Sequence, residues 1–237
     1  MKQLENFKAI IYHLYPGLLI TAGFVIFAPL AIKYGFPPQF GMLLSIIVVA
    51  VPILFFHMRA AKRLEEKSHI SDLNGFKEKL PLVRLILYSS GLVIFAFIIW
   101  GITQRVSNLI TAKLSNWLPS WYTVQDFHGY SHDKIVVTLI FNLVLNGFMA
   151  PYIEELYFRG YLLPRMQGFG KYAFLVNCLL FSLYHFWQPY IYLTLFLALL
   201  PMIYLVVKTR DLRLSILTHS LLNLIGAILS FGMVAKH

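Results

Sequence analysis

Two adjacent glutamates, Glu154 and Glu155, interrupt an apolar stretch that reads Ile153-Glu-Glu-Leu-Tyr-Phe-Arg159. Neighbouring carboxylates in an oily setting repel one another, and a nearby cation relieves the cost. Arg159 stands four residues after Glu155, on the same face of a helix, so Glu155 and Arg159 read as an internal ion pair. Glu154 is turned about 100° away and is left free for other work. Two further pairs share the i,i+4 spacing, Phe181-x-x-x-His185 and His219-x-x-x-Asn223. In each, both side chains fall on one helix face. One carboxylate, two imidazoles and an amide are thereby offered on three apolar segments.

These groups suit the activation of water. Glu154 would serve as general base, with His185 orienting the bound water. Peptide hydrolysis builds negative charge on the carbonyl oxygen, and His219 and Asn223 could donate hydrogen bonds to it. One such donor is typically worth about 2.7–4 kcal/mol. A nucleophile mechanism has less support. Ser182 adjoins the histidine motif but lacks a G-x-S-x-G turn, and the H-E-x-x-H helix of zinc peptidases is absent. Each cluster alone has a plain structural reading. Glu154 and Glu155 could cap the cytoplasmic end of a helix, His185 could be a core histidine bonded to a carbonyl, and Asn223 could be interhelical glue.

The elements that must hold these residues are membrane-spanning helices. Of the 237 residues, 59% are apolar and only 13% charged, with a mean hydropathy of +0.70. A soluble domain carries about 25% charged residues. This composition excludes a disordered chain, a coiled coil and an ordinary nucleic-acid-binding domain. Stretches free of charge cover residues 9–32, 34–58, 85–104, 135–153, 172–207 and 214–235. A span needs about 20 apolar residues, so the 172–207 stretch holds two, divided at Gln188-Pro189. The chain is expected to be an all-α polytopic membrane bundle of about seven transmembrane helices. One integral membrane domain covers 1–237. No cleaved signal peptide is expected at the N-terminus. Cys178, the single cysteine, reads as a small core residue.

The net charge of +10 is unevenly distributed. With the N-terminus in the cytoplasm, segments 1–8, 58–84, 158–171 and 208–213 hold 15 of the 20 Lys and Arg. Lys33, Arg105, Lys113, Lys134 and Lys236 fall outside. That asymmetry supports a cytoplasmic N-terminus and an outer C-terminus by the positive-inside rule. The 58–84 loop mixes acids and bases and reads as a solvated amphipathic stretch. The 103–134 loop, with Trp117, Trp121 and Tyr122, reads as interfacial.

The ordered set Glu154-Glu155-x-x-x-Arg159, Phe181-x-x-x-His185 and His219-x-x-x-Asn223 resembles the three motifs of the CPBP family. That family comprises the CAAX prenyl endopeptidases and the bacteriocin-processing or self-immunity (Abi) membrane peptidases. The resemblance covers a motif-bearing core of about 130–232. It implies an intramembrane endopeptidase with Glu154 catalytic, His185 its partner on water, and His219 and Asn223 in the oxyanion role. Glu155, Arg159 and Phe181 would support them. No cofactor is implied, although Glu154, His185 and His219 could in principle hold zinc. By analogy with the family, the compact chain fits a bacterial cytoplasmic membrane protein. Its partners would be membrane lipids and a peptide or membrane-anchored protein substrate, with no nucleic acid.

Two other classes use similar residues. A non-catalytic adaptor could bind a sensor or exporter, and a transporter could relay protons through buried Glu and His. The latter is expected to show repeat symmetry, which the sequence lacks. The linear reading also contains a conflict. A fourth span running straight from Ile135 puts Glu154 about 28 Å along it, near the cytoplasm, while His185 falls late in the fifth span, toward the outer face. Shifting the fourth span to about 141–165 brings Glu154 to mid-depth. Water is expected to reach it from the basic cytoplasmic side.

Overall fold

The computed structural model describes residues 2–234, so Lys236 lies outside the described residues. Among the described residues, six helices are long and apolar enough to cross a membrane. In chain order these are α1 (Asn6–Lys33), α2 (Pro38–Leu64), α3 (Leu82–Leu114), α4 (His132–Arg165), α6 (Pro189–Thr209) and α7 (Leu212–Gly232). Between α4 and α6 stands α5, Ala173–Tyr184, with 12 residues. The chain is an all-α, multi-pass membrane bundle of seven helical segments, one of them short. No strand occurs among the described residues beyond an isolated bridge between Lys77 and Asp211.

Several helices outrun the charge-free stretches. α3 continues to Leu114 and α4 continues through both glutamates to Arg165. α4 therefore includes both the unshifted and the shifted span. Its length resolves half of the depth conflict, because Glu154 lies eleven residues, about 16 Å, from the end at Arg165. The short α5 resolves the other half. Twelve residues rise only about 18 Å, so His185 ends near mid-depth, not toward the outer face.

α2 and α4 are not regular helices. π-helical turns cover Ile46–Ala50, Leu145–Met149 and Leu156–Leu162. Each is followed within two residues by a proline: Pro52, Pro151 and Pro164. Proline has no N–H to donate. The amides of Val51, Ala150 and Leu163 reach back five residues, to Ile46, Leu145 and Phe158. The next carbonyl in each π ladder, that of Ile47, Asn146 and Arg159, would be served by the proline nitrogen and is not. An unserved carbonyl in an apolar setting needs a donor from elsewhere.

The helices interlock around α7. It packs on α3, α4 and α6, while α1 packs on α2 and α5. Two glycines permit the closest approaches. A Cβ at Gly17 of α1 would collide with the Tyr184 backbone carbonyl, and one at Gly41 of α2 with the α1 backbone at Phe27 and Ala28. Cys178 is fully buried.

The basic end of the bundle is tied by ion pairs. Arg165 clasps Glu65 through two hydrogen bonds of 2.7 and 2.9 Å and also donates to the Leu73 and Tyr161 carbonyls. Asp211 accepts from the Leu80 amide and from Arg213. The 58–84 segment is thus partly built in, with Leu73 and Phe76 buried. At the opposite end Trp117 is exposed, whereas Trp121 and Tyr122 pack edge-on against Phe24 of α1.

Candidate active site

Glu154, His185, His219 and Asn223 line one cavity of about 730 Å³. Each arrives from a different register. Glu154 and Glu155 occupy the α-helical turn Ala150–Glu155 between two π segments of α4. His185 follows the last residue of α5, where its own backbone (φ −79°, ψ 52°) leaves the helix. His219 and Asn223 stand one turn apart on α7, with His219 seven residues, about 10 Å, above the start at Leu212.

The two glutamates have separate partners. Glu155 is fully buried, and its Oε1 accepts from His219 Nδ1 at 2.9 Å and lies 3.2 Å from the Arg159 guanidinium. Arg159 is also fully buried and sits over the Phe181 ring, its guanidinium carbon 3.8 Å from the centroid. Such a cation over an aromatic face is attracted by the ring quadrupole. Glu154 belongs to the cavity instead. Its Oε1 accepts from the Tyr184 hydroxyl at 3.2 Å.

Phe181 organises the histidines as well. His185 packs edge-on against it at 4.9 Å and His219 at 6.2 Å. His185 Nδ1 lies 2.9 Å from the Phe181 carbonyl. A carbonyl only accepts, so Nδ1 carries the hydrogen and Nε2 is left as an acceptor. His219 Nδ1 is likewise committed, to a carboxylate. For both histidines the Nε2 atom is the one left for a ligand.

Asn223 has a structural partner. Its amide nitrogen donates to the Asn146 carbonyl at 2.7 Å. This is the carbonyl that Pro151 leaves unserved at the end of the π turn, so the proline in α4 creates the acceptor that holds α7 in register. The partner being a carbonyl also fixes which end of the amide points at it.

Sequence reading missed Tyr184 and Asn146. Tyr184 lies between Phe181 and His185 in an aromatic-rich string, where nothing distinguishes it from core. Asn146 acts through its backbone, which no side-chain motif reveals. Among the described residues, no three His, Cys, Asp or Glu side chains gather closely enough to hold a metal ion.

Access differs from expectation. Below the glutamates, toward the basic loops, Tyr157, Phe158 and Leu162 are fully buried. The cavity extends the other way, past Met42, Leu43 and Leu199 to Gln104 and Gln125. It does not open on the basic side because the π-helical end of α4 is packed solid there.

The fold and cavity define a multi-pass membrane protein with a carboxylate and two imidazoles facing an internal chamber. Residues 136–225 match the family model described as Rce1-like, type II CAAX prenyl endopeptidase Rce1-like. This match is consistent with the CPBP resemblance of the motifs, and all seven motif residues fall inside the matched segment. The family indicates a peptidase of the CAAX-protease type. Neither the curated proteins nor the solved structures give a match.

Proposed function

We propose that this protein is an intramembrane endopeptidase in which Glu154 activates the attacking water. The observation that carries this reading is the convergence of Glu154, His185, His219 and Asn223 on one cavity. Glu154 takes a proton from water as the oxygen attacks the scissile carbonyl carbon. His185 Nε2 accepts the water's other hydrogen and orients it. Glu154 then returns its proton to the amine nitrogen as the carbon–nitrogen bond breaks.

The hydrogen-bond geometry supports the assignment. Glu155 is taken up by Arg159 and His219, so Glu154 is the carboxylate left to face the water. His219 gives its Nδ1 hydrogen to Glu155 and turns Nε2 to the cavity, from where a hydrogen on that nitrogen would stabilise the oxyanion. Asn223, held by Asn146, stands one turn further along as the second polar group. We assign Glu155 and Arg159 to the positioning of His219, and the protein to a bacterial cytoplasmic membrane.

The test is Glu154→Gln in the purified, folded protein, assayed on apolar peptides with and without chelator. Loss of cleavage supports the general base, and retained cleavage overturns it. Loss of wild-type cleavage with chelator, restored by zinc, would favour a metal mechanism instead.

A further inference from the structure

We infer that the substrate reaches this site from the face opposite the basic loops, as an uncharged, apolar stretch of polypeptide. The inference rests on the peptidase reading for its chemistry, but its geometry is independent of it. The exposed residues that line the cavity are Phe97, Trp100 and Gln104 on α3, Gln125 in the loop before α4, and Leu229 on α7. α3 starts on the basic face at Leu82 and α7 at Leu212. Trp100 and Gln104 therefore stand about 27 and 33 Å from that face, and Leu229 about 26 Å. Glu154 and His219 lie at about 16 and 10 Å by the same measure. The chamber thus rises from the catalytic groups to a mouth at the far boundary of a hydrocarbon layer about 30 Å thick.

The opposite route is closed. Glu155, Arg159, Tyr157, Phe158 and Leu162 have no exposed surface. The loop between α3 and α4 shapes the mouth from above. Tyr122 of that loop donates to the Phe186 carbonyl, next to His185, at 2.8 Å. Val124 is buried against the cavity.

By the positive-inside rule the basic face is cytoplasmic, so the mouth faces outward. Phe97, Trp100 and Leu229 are apolar and exposed at lipid height, while Gln104 and Gln125 lie where water begins. Along the chamber the polar lining is of neutral amides, such as Gln39, Asn142 and Asn146, and the hydroxyls of Thr194 and Ser230, and the ionisable lining groups are Glu154, His185, His219 and the Tyr184 phenol. Among the described residues, no lining Lys, Arg or second carboxylate is there to pair with a charged substrate residue. The chemistry that fits is an exported peptide, or the outer flank of a membrane-anchored segment, with uncharged residues on both sides of the scissile bond.

The test places single cysteines at Gln104→Cys and Gln125→Cys, with Arg63→Cys on the basic face as control, in the full-length chain. Native Cys178 is fully buried and stays. A membrane-impermeant maleimide is applied to right-side-out vesicles. The mouth positions are expected to label at least tenfold faster than Arg63→Cys, and permeabilisation should abolish the difference. Labelling of both mouth positions only after permeabilisation overturns the inference. If Gln104→Cys does not fold, Gln125→Cys in the loop carries the measurement. A quenched apolar peptide added outside is expected to be cut at least tenfold faster by right-side-out than by inverted vesicles, and the reverse preference overturns the inference. Outside labelling with no cleavage in either vesicle leaves the outward mouth intact and counts against the peptidase reading alone.

Discussion

His219 donates its Nδ1 hydrogen to Glu155, at 2.9 Å, and not to Glu154. Adjacent carboxylates thereby divide two tasks. One orients an imidazole from beneath, and the other faces the chamber. Glu154→Gln is expected to keep the fold and lower kcat by about 10²–10⁴, the usual reach of a general base. Glu155→Gln should lower kcat and also destabilise the protein, since Arg159 loses its anionic partner at a cost of about 3–5 kcal/mol. Thermal unfolding beside peptide cleavage separates the two. An unchanged melting temperature in Glu155→Gln would remove its structural part.

The Tyr184 hydroxyl holds one Glu154 oxygen at 3.2 Å. Hydrogen bonds to charged groups contribute about 1.5–3 kcal/mol. Tyr184→Phe should therefore lower kcat by about 10- to 150-fold with little effect on stability. Kinetics of the purified variant decide this, and wild-type turnover would show that the hydroxyl does not position the carboxylate.

Asn223→Ala strips the donor from the Asn146 carbonyl. A buried acceptor left unsatisfied costs about 1–3 kcal/mol. We expect a lower melting temperature together with lower kcat, because α4 and α7 lose a fixed point. A drop in kcat alone would indicate a role limited to the oxyanion.

The basic face should be acid-sensitive. Burial pushes the Glu65 and Asp211 carboxyls up, but Arg165 on Glu65, and Arg213 with the Leu80 amide on Asp211, outweigh it and hold both below the usual range. A depressed carboxylate contributes stability in full above its unfolded pKa of about 3.9–4.3. That contribution is lost as pH falls through the lower folded value. Melting temperatures measured from pH 6 to pH 3 should decline across this window. Glu65→Gln should be less stable at pH 6 and lose less on acidification.

Much of the site was legible because i,i+4 spacing is a local property of helices. It paired Glu155 with Arg159 and set His219 and Asn223 on one face. Membrane spans were legible because a bilayer tolerates few charges. Depth was not, since counting residues assumes that every span crosses fully, and α5 does not. Neither was the direction of the cavity. It depends on which helix ends pack solid, and Tyr157, Phe158 and Leu162 look no different in sequence from lipid-facing residues. Tyr184 and Asn146 stayed hidden because the first is one aromatic among many and the second works through its main chain.

The π turn ahead of Pro151 has an outcome for helical phase. An inserted residue rotates everything beyond it by about 100° relative to a regular helix, the same angle that separates Glu154 from Glu155. Were α4 to rewind into an unbroken α-helix, Glu154 would turn to the direction that Glu155 now takes against Asn142 and the upstream face, and Glu155 would turn about 100° further on. Which glutamate faces the chamber is therefore set by the register that Pro151 imposes on the turn before it.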